Sequence, residues 1–186
     1  MKNLCKGITL VEVIVVVFII AMFSAILISD FPKIRRQFAL SRATYKFSQD
    51  MRRTQDMALS GAQLESGGQA RGYGIYVDLA DNKKYIIYAD TFVPNDNEYT
   101  AGSYPAGDYI VDTVDISQEE KGVIIKEINH VNYSWVSVDF APPNPTTTIT
   151  SLSLGEDNVE VIFALEVDQS ITRIVSVNTS GLVEVK

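Results

Sequence analysis

The hydrophobic pattern along this chain changes period part-way. Ile8 to Ser29 (ITLVEVIVVVFIIAMFSAILIS) is an unbroken apolar run whose only ionisable residue is Glu12. About 22 residues at a helical rise of ~1.5 Å span ~33 Å, enough to cross a hydrocarbon core of ~30 Å. The β-branched block Val13 to Val17, with Ile19 and Ile20, would suit a buried strand. A lone strand in lipid, however, leaves its backbone hydrogen bonds unmade. The run therefore predicts a transmembrane helix over 8–29. Pro32 comes next and can kink or restart a helix. Beyond it, Ile34, Phe38, Tyr45, Met51 and Ala58 fall near helical turns, with Arg35, Arg36, Arg42, Lys46, Arg52 and Arg53 between them. This predicts an amphipathic continuation over 30–60, its apolar face packed on a β-rich domain and Gly61 as its C-cap.

The period then shortens to two. A Gly/Gln/Ser-rich link (Gly67-Gly68-Gln69) leads to strands predicted over 73–79 and 85–91, joined through Asp81-Asn82-Lys83-Lys84 as a hairpin. A long loop occupies 91–108, rich in Asn, Gly and Pro. Further strands are predicted over 109–116, 122–131, 134–140, 146–154, 159–167, 171–177 and 182–185. Pro142-Pro143-Asn144-Pro145 interrupts the series, and Asn178-Thr179-Ser180-Gly181 forms the last turn. Helix first and strands after is an α+β arrangement, a long N-terminal helix packed on a mainly antiparallel β domain over 61–186.

Residues 1–7 change the meaning of the first helix. They are short, polar and basic (Lys2, Lys6), and they end in Lys6-Gly7. A secretory signal instead carries its small-residue cleavage site after the apolar segment, and Ala25-Ile26-Leu27 is no A-x-A site. Glu12 is the second oddity, because a carboxylate at membrane depth costs on the order of 2.5–3.5 kcal/mol and calls for a partner or a function. Lys6-Gly7-Ile8-Thr9-Leu10-Val11-Glu12-Val13 before an apolar helix resembles the class III signal of type IV pilins and type II secretion pseudopilins. The resemblance implies a leader over 1–7, cleavage by a prepilin peptidase between Gly7 and Ile8, and methylation of the Ile8 amine. It also implies an assembly role for Glu12, the fifth residue of the mature chain. Ile8 departs from the family, which usually has Phe there. Physically, a neighbouring subunit's Ile8 amine can pair with Glu12 inside a packed helical core and set its register. The alternatives are that Glu12 snorkels to the interface or pairs with its own Ile8 amine.

Weaker features are similar to the H-type minor pseudopilins and their pilus relatives, the GspH/FimT group. They are the Phe47-Ser48-Gln49-Asp50-Met51-Arg52 helix segment, the Tyr73-Gly74-Ile75 strand entry and the closing hairpin around Gly181. The resemblance implies a single-pass protein of the cytoplasmic (inner) membrane. Its globular domain would lie outside the cytoplasm, in a hetero-oligomeric filament of pilin subunits. The charge bias around the span (Lys2 and Lys6 against Lys33, Arg35, Arg36, Arg42 and Lys46) favours the reverse orientation. The resemblance outweighs that bias, because the cleavage signal must face the cytoplasm.

Charge is split along the chain. Residues 1–60 hold nine Lys/Arg against four acids (+5), and residues 61–186 hold seven against nineteen (−12), giving the overall −7. An acidic domain argues against a phosphate-reading nucleic-acid surface. The basic residues of 33–53 read as the solvated face of a helix or as contacts to anionic lipid or nucleic acid. Cys5 is the only cysteine and lies in the leader, so a mature chain would have no disulfide; a lipoprotein cysteine would come after the apolar run, not before it.

No catalytic constellation emerges, and neither a cofactor nor a metal is expected. His130, the single histidine, reads as an ordinary strand residue. Asp90, Asp96, Glu98 and Asp108 around the long loop are a conceivable calcium set, without EF-hand spacing. Tyr99, Tyr104 and Tyr109 either line a binding surface or pack the loop on the sheet. Asn132-Tyr133-Ser134 and Asn178-Thr179-Ser180 match a glycosylation sequon. The resulting expectation is a non-enzymatic minor (pseudo)pilin, assembled for protein secretion or into a type IV pilus. The alternative is a minor pilin that binds DNA or a surface, which a basic patch of Arg71, Lys83, Lys84, Lys121 and Lys126 would support.

Overall fold

The computed structural model describes residues 7–64, 70–91, 98–102, 106–142 and 146–186. The leader residues Lys2, Cys5 and Lys6 lie outside them, as do the Gly67-Gly68-Gln69 link, Asp96, Tyr104 and Pro143 to Pro145. The chain divides into two compact units, Met1–Arg36 and Gln37–Lys186. One helix, α1 (Leu10–Ser60), runs from the first into the second, with Pro32 inside it. Pro32 forgoes one backbone hydrogen bond without ending the helix. Gly61 does end it. With φ at 59° it adopts a left-handed turn, Ala62 N–H donates to Met57 C=O at 3.1 Å, and Gly61 N–H to Ala58 C=O at 3.3 Å. Those two bonds are a Schellman cap, so the expected C-cap stands.

Among the described residues the helix is succeeded by nine strands: β1 (Gly72–Asp78), β2 (Lys84–Asp90), β3 (Tyr109–Asp115), β4 (Val123–Asn129), β5 (Trp135–Ala141), β6 (Thr146–Thr150), β7 (Asn158–Leu165), β8 (Thr172–Asn178) and β9 (Val183–Val185). Their pairings are antiparallel, in two sheets of order β3-β2-β1-β5-β6 and β4-β7-β8-β9. A 3-10 turn, Leu79–Asp81, leads into the Asn82–Lys83 turn of the β1–β2 hairpin. Between β3 and β4 a four-residue helix, α2 (Ile116–Glu119), replaces the expected end of the 109–116 strand. Asp115 explains the stop. Its carboxylate accepts from the Ser117 N–H and hydroxyl at 2.9 and 2.6 Å, an N-cap that diverts the backbone from the ladder.

The strands expected over 122–131 and 146–154 also end early. Their tails cross between the sheets side by side, tied by a Val131–Leu152 bridge. His130 and Ser151 stand at the crossing with φ of 66° and 75°, backbone that breaks an extended strand. His130 is therefore not a strand residue. Its Nδ1 lies 3.1 Å from Asn158 Oδ1 and 3.7 Å from a Glu156 carboxylate oxygen.

The core of Gln37–Lys186 is the space between the two sheets and residues 37–60 of α1. Leu40, Ala43, Phe47, Met51, Thr54 and Ala58, at steps of three and four, are all buried there. Phe47 joins the layers, edge-on to Tyr85 of one sheet (5.0 Å, 88°) and tilted on Phe163 of the other (5.3 Å, 57°). This corrects the expected helix face. Phe38 and Tyr45 are 60% and 54% exposed, and Ile34 is exposed as well. The buried stripe is rich in small side chains (Ala39, Ala43, Thr44, Ser48), which let the helix seat closely.

Candidate functional site

The start of α1 is built by Thr9. Its hydroxyl accepts the Glu12 N–H at 3.3 Å, and its carbonyl accepts the Val13 N–H at 3.3 Å. Thr9-Leu10-Val11-Glu12 therefore begins a helix with Thr9 as N-cap and Glu12 as its third residue, where a carboxylate meets the positive end of the helix dipole. The Thr-x-x-Glu spacing is a capping signal that the run of hydropathy hides, and sequence reasoning missed it. Ile8 and Glu12 share one exposed groove of the helix with Val13, Val16 and Val17. The carboxylate thus lies on the same side as the residue whose amine cleavage after Gly7 would create.

Gly7 is informative by what does not constrain it. A methyl group there would meet nothing within 4 Å, and its φ is not in the left-handed region. Neither packing nor backbone conformation in this chain requires glycine at that position.

The large apolar side chains from Ile8 to Ile28 are 46–77% exposed. Such a surface is not viable in water and needs lipid or protein around it. The helix is long and apolar enough to cross a membrane.

Those observations converge at one end of the molecule. The chain carries a prokaryotic N-terminal methylation motif. The family model of that motif matches residues 2–28, and the match supports a pilin or pseudopilin that prepilin peptidase processes. It covers the leader and the apolar run and reaches none of the β-rich unit. No curated protein and no solved structure matches the chain.

The other candidate residues sit on the outer face of the five-stranded sheet, away from α1. Tyr88 of β2 lies across Gly74 of β1, where a Cβ would come within 2.4 Å of its ring, and its hydroxyl is 2.7 Å from Ser137 Oγ. Burial, and after it the charge of Asp139, pushes the Tyr88 phenol well above its ordinary range. Asp108 is buried, and its two oxygens accept the N–H groups of Thr91 and Thr100 at 2.9 and 2.8 Å. It clamps the base of the 91–108 loop. Of the conceivable calcium set, Asp90 is buried on this same face and Asp96 lies outside the described residues. Among the described residues, no three His, Cys, Asp or Glu are arranged to hold a metal ion. Asp139, buried on β5, belongs to this face and was missed in the sequence, because an isolated Asp in a strand resembles an edge residue.

Tyr99 packs on Tyr76 at 4.8 Å and on Tyr88 at 5.3 Å, so it pins the loop to the sheet. Tyr109 begins β3, and Tyr104 lies outside the described residues. The sequon Asn178 uses its side-chain oxygen to accept the Ser180 and Leu182 N–H groups at 3.1 and 2.9 Å, which shapes the last turn. Of the expected basic patch, the Lys83, Lys121 and Lys126 segments adjoin, through Ile125 N–H to Asn82 C=O at 2.8 Å and Glu166 N–H to Gly122 C=O at 2.9 Å, and Arg71 stands apart. Lys83 pairs with Glu166 at 3.0 Å and Lys84 with Asp81 at 3.3 Å. Arg71 is bonded to Asp90 at the opposite end of β2, about 20 Å away at ~3.3 Å per strand residue.

Proposed function

We propose that this chain is a structural minor pilin or pseudopilin of the H type, a subunit with no catalytic activity of its own. Prepilin peptidase removes residues 1–7 at the cytoplasmic face, and the exposed Ile8 amine is methylated. The helix of 8–29 holds the subunit in the inner membrane with its β-rich unit outside. Glu12 then meets the Ile8 amine of a neighbouring subunit as the helices pack into a secretion pseudopilus or a type IV pilus. The observation that carries this reading is the methylation motif over residues 2–28, set directly on an exposed spanning helix. Its physical logic is a buried ion pair. Pairing removes the penalty of a lone carboxylate in the packed core, and a subunit out of register leaves that penalty in place.

The deciding experiment is the intact mass and N-terminal sequence of the protein from membranes that contain a prepilin peptidase. The expected product begins at methylated Ile8. A chain that still begins at Met1, or that is cut after the apolar run, would overturn the proposal.

A further inference from the structure

A cavity of the Gln37–Lys186 unit has a volume of about 410 Å³ and is lined by Gln37, Leu40, Ile171, Thr172, Arg173 and Lys186. It lies between the first turn of the helix in that unit and the start of β8. Strand alternation sets apart one of its two cations, Arg173. Val175 and Val177 of β8 are fully buried in the core, and Arg173 has the same parity, paired across the ladder with buried Phe163. Arg173 itself is exposed, so a guanidinium stands at the solvent edge of that face, where the core runs out. Among the described residues Arg173 makes no ion pair, whereas Lys186, the other cation of the lining, pairs with Glu160 at 3.0 Å. No acidic side chain lines the cavity. Around it the β-rich part of the chain is strongly acidic.

We propose that this cavity binds a phosphate ester, with Arg173 as its counter-ion. The guanidinium fork matches two phosphate oxygens at once, and it is weakly hydrated enough to sit beside apolar walls. The Gln37 amide supplies a neutral donor for a remaining oxygen. Leu40 and Ile171 supply an apolar wall for the alcohol portion of the ester. The volume falls within the ~300–1,000 Å³ of small-molecule sites, more than a lone carboxylate needs. Two sources carry this chemistry, a soluble phosphate ester and an anionic phospholipid headgroup. The lipid source suits a chain in which Gln37 comes only a few residues after the apolar run on the same helix. The site itself does not depend on the pilin reading.

The test titrates the full chain, held in neutral maltoside micelles, with glycerol 3-phosphate and separately with short-chain phosphatidylglycerol, read by calorimetry and phosphorus NMR. Binding of both probes assigns recognition to the phosphate ester alone. Binding of the lipid alone assigns the site to a headgroup with its acyl chain. In either case Arg173→Gln should weaken binding about tenfold or more, since it removes a charge-assisted bidentate contact. Arg173→Lys should keep part of the affinity, and Gln37→Glu should lose it by facing the ligand with a like charge. Lys126→Gln, a change outside the cavity, should leave it unaltered. If neither probe binds, or if Arg173→Gln binds as the parent does, the proposal fails.

Discussion

At the scale of single residues, this protein places phenols against carboxylates in buried positions. Tyr85 donates to Asp50 at 2.5 Å inside the core, and Lys46 reaches the same carboxylate at 3.0 Å. Burial, then the hydrogen bond to Asp50, pushes the Tyr85 phenol far above its ordinary value. Tyr76, partly buried and bonded to Asp78, is pushed up to about 12. A tyrosine whose pKa is raised by folding contributes stability that is whole below the unfolded value of 10.0 and is lost as pH climbs through the folded one. Urea midpoints should therefore stay level up to about pH 9 and fall between pH 10 and 12. Tyr85→Phe should lower the midpoint at pH 7, because Asp50 keeps its burial and loses a donor; the expected cost is ~1–3 kcal/mol. Gly74→Ala should also destabilise, by ~1–3 kcal/mol, as the new methyl meets the Tyr88 ring at 2.4 Å. Pairing Gly74→Ala with Tyr88→Leu should recover part of that loss, whereas a backbone origin would show no recovery.

At the scale of elements, the helix of the second unit carries two stripes, and residue size decides between them. The bulky stripe of Phe38 and Tyr45 is the more conspicuous in the sequence, yet the one that packs is Leu40, Ala43, Phe47, Met51 and Ala58. Close approach to two sheets rewards small residues around one large hub. Phe47→Ala should accordingly cost ~3–5 kcal/mol in denaturant unfolding, whereas Phe38→Ala should change stability little. The strands were legible almost throughout, because a half-buried strand writes a period of two and its turns collect Asn, Asp and Gly. Their ends were less so. Asp115 caps a single helical turn, and His130 and Ser151 turn the backbone with positive φ. Both effects come from local hydrogen bonding and crossing geometry that hydropathy does not record.

At the scale of the whole molecule, the exposed helix of 8–29 makes assembly the central question. Under the proposed function, Glu12→Leu should insert in the membrane at least as readily as the parent, since it removes a charge from the apolar run. It should nevertheless lose cross-links to neighbouring subunits through cysteines introduced in the packed helices. Equal cross-linking in parent and variant would separate Glu12 from assembly. The sequence by itself determined the apolar run, the N-terminal methylation motif, the α+β class and the strand series. Each of these is written in contiguous residues, as run length, as Lys6-Gly7 before Thr9 and Glu12, or as local period. Only the tertiary structure decided which residues meet across the sheets. Asp139 with Tyr88, Asp50 with Tyr85, and Arg173 beside Gln37 are far apart in the chain. Long-range pairing depends on strand order and on the face each side chain takes, and a one-residue shift of register would exchange every such neighbour.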